Sequence, residues 1–347
     1  MRAVAFYEHG PPDVLRMTEI GDPNPERGYA IIRISKTSVN RLDILTRYGY
    51  VGLKTEMPHI PGSDVSGTIE AIDEHDSSGL SEGDRVISHP LITCGLCDMC
   101  KSGREILCRE WQVTGRETDG SYAELAKVRI SSLVRQPKGL SAEEAASLPL
   151  SLSTAWRAVK SLSNTEDGDT IGITGASGNV GIFATMISKA LGMRVLAFSR
   201  DKRREAGLKR IGADLVIDSN LGKDGIIREV MDYTDGYGVN AVIDCLGADI
   251  DTCVNIVGDG GTIVSYGTLM GSGAQIDMRE IYLKSIRLVG THVSSKSEFV
   301  DAIDFISRNG IKPVIGKVLS IRDAAEANRL LEKSEIFGKI ILDMDSG

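Results

Sequence analysis

No stretch of the 347 residues approaches the roughly twenty apolar residues that a membrane-spanning helix needs. The N-terminal MRAVAFYEHGPPDV has no uninterrupted apolar core of signal-peptide length, so cytoplasmic placement is the default expectation. An excess of basic charge is missing as well: 40 Lys and Arg stand against 48 Asp and Glu, a net charge of −8. A surface of that sign repels nucleic acid and anionic lipid, and neither is expected as a partner. Cysteine is scarce, six in all, yet Cys94, Cys97, Cys100 and Cys108 fall within fifteen residues. Without a secretion signal, such clustering favours a metal over disulfides, although a metal-free reduced lobe or a pair of disulfides remains open. Cys245 and Cys253 stand alone in the apolar second half and read as small core or near-core residues.

What is present is an ordinary globular composition, 41% hydrophobic and 25% charged, with length for two domains. The segment TIGITGASGNVGIFATMISKALGMRVLAFSRD, residues 170–201, organises the rest. A short apolar run ends in the turn Gly175, Ala176, Ser177, Gly178; an amphipathic helix follows from Asn179 through Val180 and Gly181; a second apolar run closes a βαβ unit. Gly175 and Gly178 let the backbone turn and approach a pyrophosphate, and Gly181 lets the helix lie against the first strand. Backbone N–H groups at the helix start then face the phosphates. The pattern is AxGxxG, and its context of strand, turn, helix and strand carries more weight than the glycines alone.

The end of the second strand selects the nucleotide. An Asp or Glu there would hold a ribose 2′-hydroxyl, whereas an Arg accommodates a 2′-phosphate. The chain reads Phe198, Ser199, Arg200, Asp201, Lys202, with Ser199 at the acid's position and Asp201 too late for it, where it starts the next helix. Arg200, with Lys202 beside it, predicts NADP(H) over NAD. A merely solvated basic helix start is the alternative.

Before residue 153 the pattern is mainly β, with short runs such as 2–6, 29–35, 65–72 and 85–88 between Gly, Pro and Asp turns, and it suggests a partly open barrel. From 153 strands and helices alternate, giving six strands of a doubly wound parallel sheet. Its strand ends at 244–247, 266–269 and 290–293 should line a cofactor crevice, with Cys245, Gly247, Tyr266, Gly267 and Thr268 among the cofactor-binding candidates and Thr154 a further one. After residue 297 a helix, an extended run, a second helix and the apolar strand 338–342 follow, and that last strand is expected to return to the first domain.

These pieces resemble the medium-chain dehydrogenase/reductase family along essentially the whole chain. The likeness rests on MRAV, TSVNRLDILTRYG, PGSDVSG, EGDRV, the four-cysteine lobe and GASGNVG. It implies an α/β architecture: a mainly β, GroES-like barrel catalytic domain at 1–152 and 298–347, with the lobe at about 90–115, interrupted by a Rossmann dinucleotide domain at 153–297. A homodimer or homotetramer is implied too. The spacing Cys94-x2-Cys97-x2-Cys100-x7-Cys108 matches the family's structural-zinc lobe, so one structural zinc per chain is expected.

The alcohol dehydrogenase branch of that family carries a Cys at the position matching Asn40, a His-Glu pair at Ser63 and Asp64, and a further Cys or acid near 148–158. Here LPLSLSTAWRA supplies none, and the positions that relay the alcohol proton match Leu42 and Leu45. With Asn40 and Asp43 kept, the chain is similar to the zinc-independent quinone reductase branch, zeta-crystallin-like, which usually lacks the cysteine lobe. The implied reaction is hydride transfer from NADPH to a small-molecule electrophile, a quinone or an α,β-unsaturated carbonyl. Asn40 would donate to the developing oxyanion, Asp43 would orient its neighbours, and Tyr48 is a weaker proton-donor candidate. His59 reads as a hydrogen-bonded turn residue, and His89 has no clear role. Two alternatives stand: a zinc-type alcohol or aldehyde dehydrogenase using His59 and Asp64, and a non-enzymatic NADPH-binding redox sensor. Acceptor size depends on side chains around 48–54 and 268–275, and neither fold nor family names the acceptor.

Overall fold

The computed structural model describes residues 1–49, 55–73 and 75–344. It divides into two compact units, one of Met1–Ser153, Val293–Ser307 and Lys312–Gly347, the other of Thr154–His292 and Arg308–Ile311.

The second unit is built on a six-stranded parallel sheet. Across it lie Leu215–Asp218, Arg194–Ser199, Thr170–Ile173, Val239–Asp244, Val257–Ser265 and Arg287–Gly290. Numbered along the chain the order is 3-2-1-4-5-6, the Rossmann order. The central strands are nearly unbroken apolar runs because helices cover both faces; Leu196, Phe198, Ile217, Val242, Val254 and Ile263 form their core. The direction of winding reverses between Thr170–Ile173 and Val239–Asp244, which fixes the crevice at their carboxyl ends. The Asn179–Ala190 helix buries Ile182, Phe183, Met186 and Ile187. It stops in a Schellman motif: Gly192 takes φ 85°, and the N–H groups of Gly192 and Met193 bond Lys189 O and Ser188 O.

The first unit centres on the ten-residue strand Tyr29–Ser38, in a seven-stranded, mainly antiparallel sheet. Its residues from Tyr29 to Arg33 pair with Leu125–Arg129, and it also pairs with Ser66–Ile72. Its far end pairs with the C-terminal strand Lys339–Asp343, with Ile341 opposite Ser38 and Leu342 opposite Thr37. Phe6, Ile32, Ile60, Ile69, Tyr122 and Leu342 fill the core. This register brings Lys339 alongside the residues that follow Ser38, where Val39 N donates to Ile340 O at 2.9 Å.

The strands read at 2–6, 65–72 and 338–342 differ from those observed by no more than a residue at either end, 85–88 matches, and the strand read at 29–35 runs on to Ser38. No helix among the described residues is long and apolar enough to cross a membrane.

Candidate functional site

The nucleotide turn is set by contacts that only glycine permits. Gly175 has φ 57°, and a Cβ there would come within 2.4 Å of Cys245 Sγ. A Cβ on Gly181 would meet Gly175 O at 2.6 Å and Ala176 Cα at 2.7 Å, so the helix can lie this close only without one. No side chain caps the helix at Gly178, which leaves the first-turn N–H groups of Val180 and Gly181 presented to an anion. Ala176 is buried, Ser177 and Asn179 are half-buried and Gly178 is exposed. This cradle fits a dinucleotide pyrophosphate.

At the neighbouring strand end Asp244 organises the crevice lining. Its carboxylate accepts from Thr174 Oγ1 at 2.8 Å and from the N–H groups of Leu246 and Gly247 at 3.1 and 3.0 Å. Gly247 takes φ 77°, and Gly267 passes so close that a Cβ would meet Cys245 O at 2.9 Å. Tyr266 is half-buried and Thr268 exposed, while Thr154 is buried near the end of the Pro149–Trp156 helix. The Cys245 thiol lies under the turn, and burial pushes it up to about 11. It packs beneath Gly175, so what Cys245 offers a ligand is its backbone.

Ser199 ends its strand buried, with Oγ tied to the backbone of Asp201. Asp201 caps the following turn through Arg203 N, and its carboxylate binds the Arg203 guanidinium at 2.9 and 3.0 Å and Arg204 at 3.4 Å. These contacts hold it well below the usual carboxylate range, Arg203 first among them, and commit it away from a ribose. Arg200 is exposed and has no carboxylate partner among the described residues; its Nη1 lies 3.8 Å from Met270 Sδ. Lys202 is exposed, 3.6 Å from Asp218 Oδ2.

The cysteine lobe is the stretch of chain between the paired strands Leu91–Ile92 and Gln112–Val113. All four Sγ atoms lie within 4.8 Å of one another, with separations of 3.6 to 3.9 Å for Cys94–Cys100, Cys97–Cys100 and Cys94–Cys108. A tetrahedral zinc at about 2.3 Å from sulfur requires edges near 3.8 Å. Backbone N–H groups of Leu96 and Cys97 pull the Cys94 thiol down to about 6, whereas burial pushes Cys100 up to about 12. Four thiols this close cannot all ionise without a cation among them, and a zinc ion fits both geometry and donor set. Among the described residues no other group of three or more Cys, His, Asp or Glu converges in this way.

The first unit also contains a buried polar cluster. Asn40 precedes the Arg41–Tyr48 helix and is 2% exposed. Its Nδ2 donates to Asp64 Oδ2 at 2.7 Å, and its Oδ1 accepts from Lys339 Nζ at 2.8 Å. Asp64 also accepts from Ser38 Oγ, from Lys339 Nζ at 2.9 Å, and from Leu150 N at 2.8 Å at the start of the Pro149–Trp156 helix. Asp43 closes a second shell of bonds: Asn40 N at 2.8 Å, Ser63 Oγ at 3.3 Å and Tyr122 Oη at 3.3 Å. Burial, reinforced by the Asp64 charge, raises Asp43 to about 7, against the pull of Asn40 N and Lys339. Arg47, fully buried, reaches Asn328 Oδ1, Gly10 O and Glu332, and its guanidinium lies 4.5 Å from the centre of the Tyr48 ring. Tyr48 itself is 51% exposed.

Asn40 was expected to donate to a substrate oxygen, but the structure uses its amide differently. The stronger acceptor, the Asp64 carboxylate, takes one N–H, and the Ser38 carbonyl faces the amide at 3.5 Å. Both N–H groups of the Asn40 amide thus have acceptors within the protein. His59 is not in a turn but pairs with Phe6 in an isolated antiparallel bridge; its Nε2 meets Gly115 O at 3.1 Å, and burial lowers its pKa. His89 is buried between Ser153 and Ser294, and burial pushes it down to about 3. Residues 50–54 of the expected acceptor loop lie outside the described residues.

Two family models match, "Zinc-binding dehydrogenase" over residues 179–308 and "Alcohol dehydrogenase GroES-like domain" over 26–138. An NAD-dependent alcohol dehydrogenase of Saccharolobus solfataricus is 31% identical over 99% of both chains. The chain belongs to the medium-chain dehydrogenase/reductases. An acryloyl-coenzyme A reductase of Sulfurisphaera tokodaii is 29% identical over 97% of this chain and 99% of its own. The crystal structure of an NAD-dependent alcohol dehydrogenase superposes with a TM-score of 0.92 at 31% identity, covering 99% of this chain and all of the other. This dehydrogenase/reductase is an oxidoreductase with a GroES-like and a Rossmann domain, a nucleotide cofactor and a structural-zinc lobe. Members of its buried cluster missed from sequence include Ser38, Tyr122, Lys339 and Ser151, whose Oγ accepts from Lys339 Nζ at 3.2 Å. The sequence held one signal, a lysine opening the apolar run KIIL, which reads equally as a solvated strand start.

Proposed function

We propose that this enzyme reduces an α,β-unsaturated carbonyl compound with hydride from NADPH, without a metal ion at the reacting centre. The observation that carries the reading is the residue set of the first unit. Asn40, Ser63 and Asp64 occupy the positions of the metal ligands, Leu42 and Leu45 those of the proton relay, and Asn40 and Asp64 are already bonded to Lys339. Such a set provides neither three metal ligands nor a hydroxyl relay for an alcohol proton. Without a Lewis acid, oxidation of a simple alcohol forgoes several kcal/mol of charge stabilisation. A conjugated acceptor needs less help, because its carbonyl oxygen takes the electron pair when hydride adds to the β-carbon.

Bound NADPH supplies that hydride. The glycine turn and the Asn179–Ala190 helix hold the pyrophosphate, and Arg200 with Lys202 meets the 2′-phosphate. Asn40 and Asp43, through their buried bonds to Asp64, Ser63 and Tyr122, would hold the surrounding segments in one arrangement. Tyr48, whose exposed ring lies against the Arg47 guanidinium, would deliver the proton that completes the α-carbon. The acryloyl-coenzyme A reductase relative, named for a conjugated acceptor, supports the reading. Quinones share the electronic demand and belong to the same class. Cytoplasmic placement and a homodimer or homotetramer complete it.

A second reading, an NAD-dependent alcohol dehydrogenase, is favoured by the 31% identity to that relative. NADPH and NADH consumption against quinones, enones, enoyl thioesters and simple aldehydes separates the two. Turnover of conjugated acceptors with NADPH is expected, and preferential turnover of simple aldehydes or alcohols would overturn the proposal.

A further inference from the structure

We propose that Lys339 is a positioning residue for this reaction, its ammonium serving as the resident cation of the first unit's buried cluster. The proposal rests on the reading above and deepens it. Lys339 Nζ donates to Asn40 Oδ1 at 2.8 Å, Asp64 Oδ2 at 2.9 Å and Ser151 Oγ at 3.2 Å. Three bonds are all that an ammonium can donate, and their acceptors come from three separate segments of chain.

The lysine satisfies those three oxygens from within the chain. It does so in a fixed register, because Ile341 pairs with Ser38 and Val39 N bonds Ile340 O at 2.9 Å. The consequence falls on Asn40. A neutral amide has two nearly isosteric ends, and their order is set by what each end meets. Lys339 demands the oxygen and Asp64 demands the N–H, so the pair holds the amide one way round. Around the ammonium the charged groups are Asp64, in contact, and Asp43, one residue further through Asn40 and Ser63. Stability alone does not call for this arrangement. A buried ammonium gives up strong hydration, and a buried ion pair is often no better than apolar packing of the same volume.

The test compares Lys339→Met, close in length and uncharged, with Lys339→Ala, which leaves room for a small amine. Steady-state rates would be measured with NADPH and but-3-en-2-one, and NADPH affinity by fluorescence. For Lys339→Met, kcat is expected to fall about tenfold or more while NADPH affinity stays within about twofold, since the group acts through Asn40 and Asp64 and makes no contact with the nucleotide-binding turn. Methylammonium should restore part of the lost kcat to Lys339→Ala, and sodium at equal ionic strength should not. Wild-type kcat in a folded Lys339→Met, or equal effects of methylammonium and sodium, would overturn the proposal. Should neither variant fold, metal analysis of the wild-type enzyme purified in excess zinc still decides: one equivalent per chain is expected, and a second retained equivalent overturns it. Wild-type silence toward but-3-en-2-one with turnover of aldehydes removes the substrate reading alone, and the same variants are then compared on the aldehyde.

Discussion

Lys339 Nζ stands 2.9 Å from Asp64 Oδ2, and neither side chain is more than 2% exposed. The pair joins the last strand of the chain to the loop before Ser66–Ile72, and breaking it from one side leaves a buried charge without its partner. Asp64→Ala is expected to lower unfolding free energy by about 3–5 kcal/mol, measured by urea denaturation. Asp64→Leu combined with Lys339→Met should lose less than either single substitution, because the double variant strands no charge. A double variant at the sum of the two singles would mean that the two groups are not coupled.

Little of this cluster could be read from the sequence, and the reason is distance along the chain. The nucleotide turn and the cysteine lobe are local: Gly175 to Gly181 and Cys94 to Cys108 carry their chemistry in their spacing. Lys339 and Asn40 lie 299 positions apart, and they meet only because Ile341 pairs with Ser38. Ser63 and Asp64 were visible as missing metal ligands, yet what replaced those ligands was set by tertiary pairing. Tyr122 and Asn328 come together around Asp43 for the same reason.

Asp43 predicts a pH dependence of stability. Its carboxyl is raised from 3.8 to about 7 in the folded protein, chiefly by burial. Below about pH 4 both states are protonated and the group has no effect on the balance. Between about pH 4 and 7 the unfolded chain ionises first, so stability falls as pH rises, by up to about 4 kcal/mol. Above about pH 7 the penalty is constant. Asp43→Asn should flatten this slope in urea denaturation run across the same range. An unchanged slope would assign the effect to other groups.

The cysteine lobe predicts one zinc per chain, bound with folding energy. Chelation at low pH followed by return to neutrality without metal should lower the melting temperature and expose four thiols to a thiol reagent. Cys100→Ser should hold less zinc and melt earlier, by several degrees. Full stability and activity in a metal-free preparation with four reduced thiols would remove zinc from the account.

Nucleotide choice tests the end of the second parallel strand. Asp201 is held by Arg203 and Arg204, and no carboxylate meets Arg200 among the described residues. An arginine bonded to a phosphate contributes about 1.5–3 kcal/mol, which corresponds to about ten- to more than a hundredfold in affinity. Arg200→Ile should therefore lower kcat/KM for NADPH by about that factor and leave NADH nearly unchanged. Adding Ser199→Asp supplies the missing acceptor for a ribose 2′-hydroxyl and repels the 2′-phosphate, so the double variant should favour NADH. Gly181→Ala is the control: its Cβ would meet Gly175 O at 2.6 Å, and it should weaken both nucleotides alike. An NADPH-to-NADH ratio that does not move in the double variant would place the 2′-phosphate, or its absence, somewhere other than Arg200.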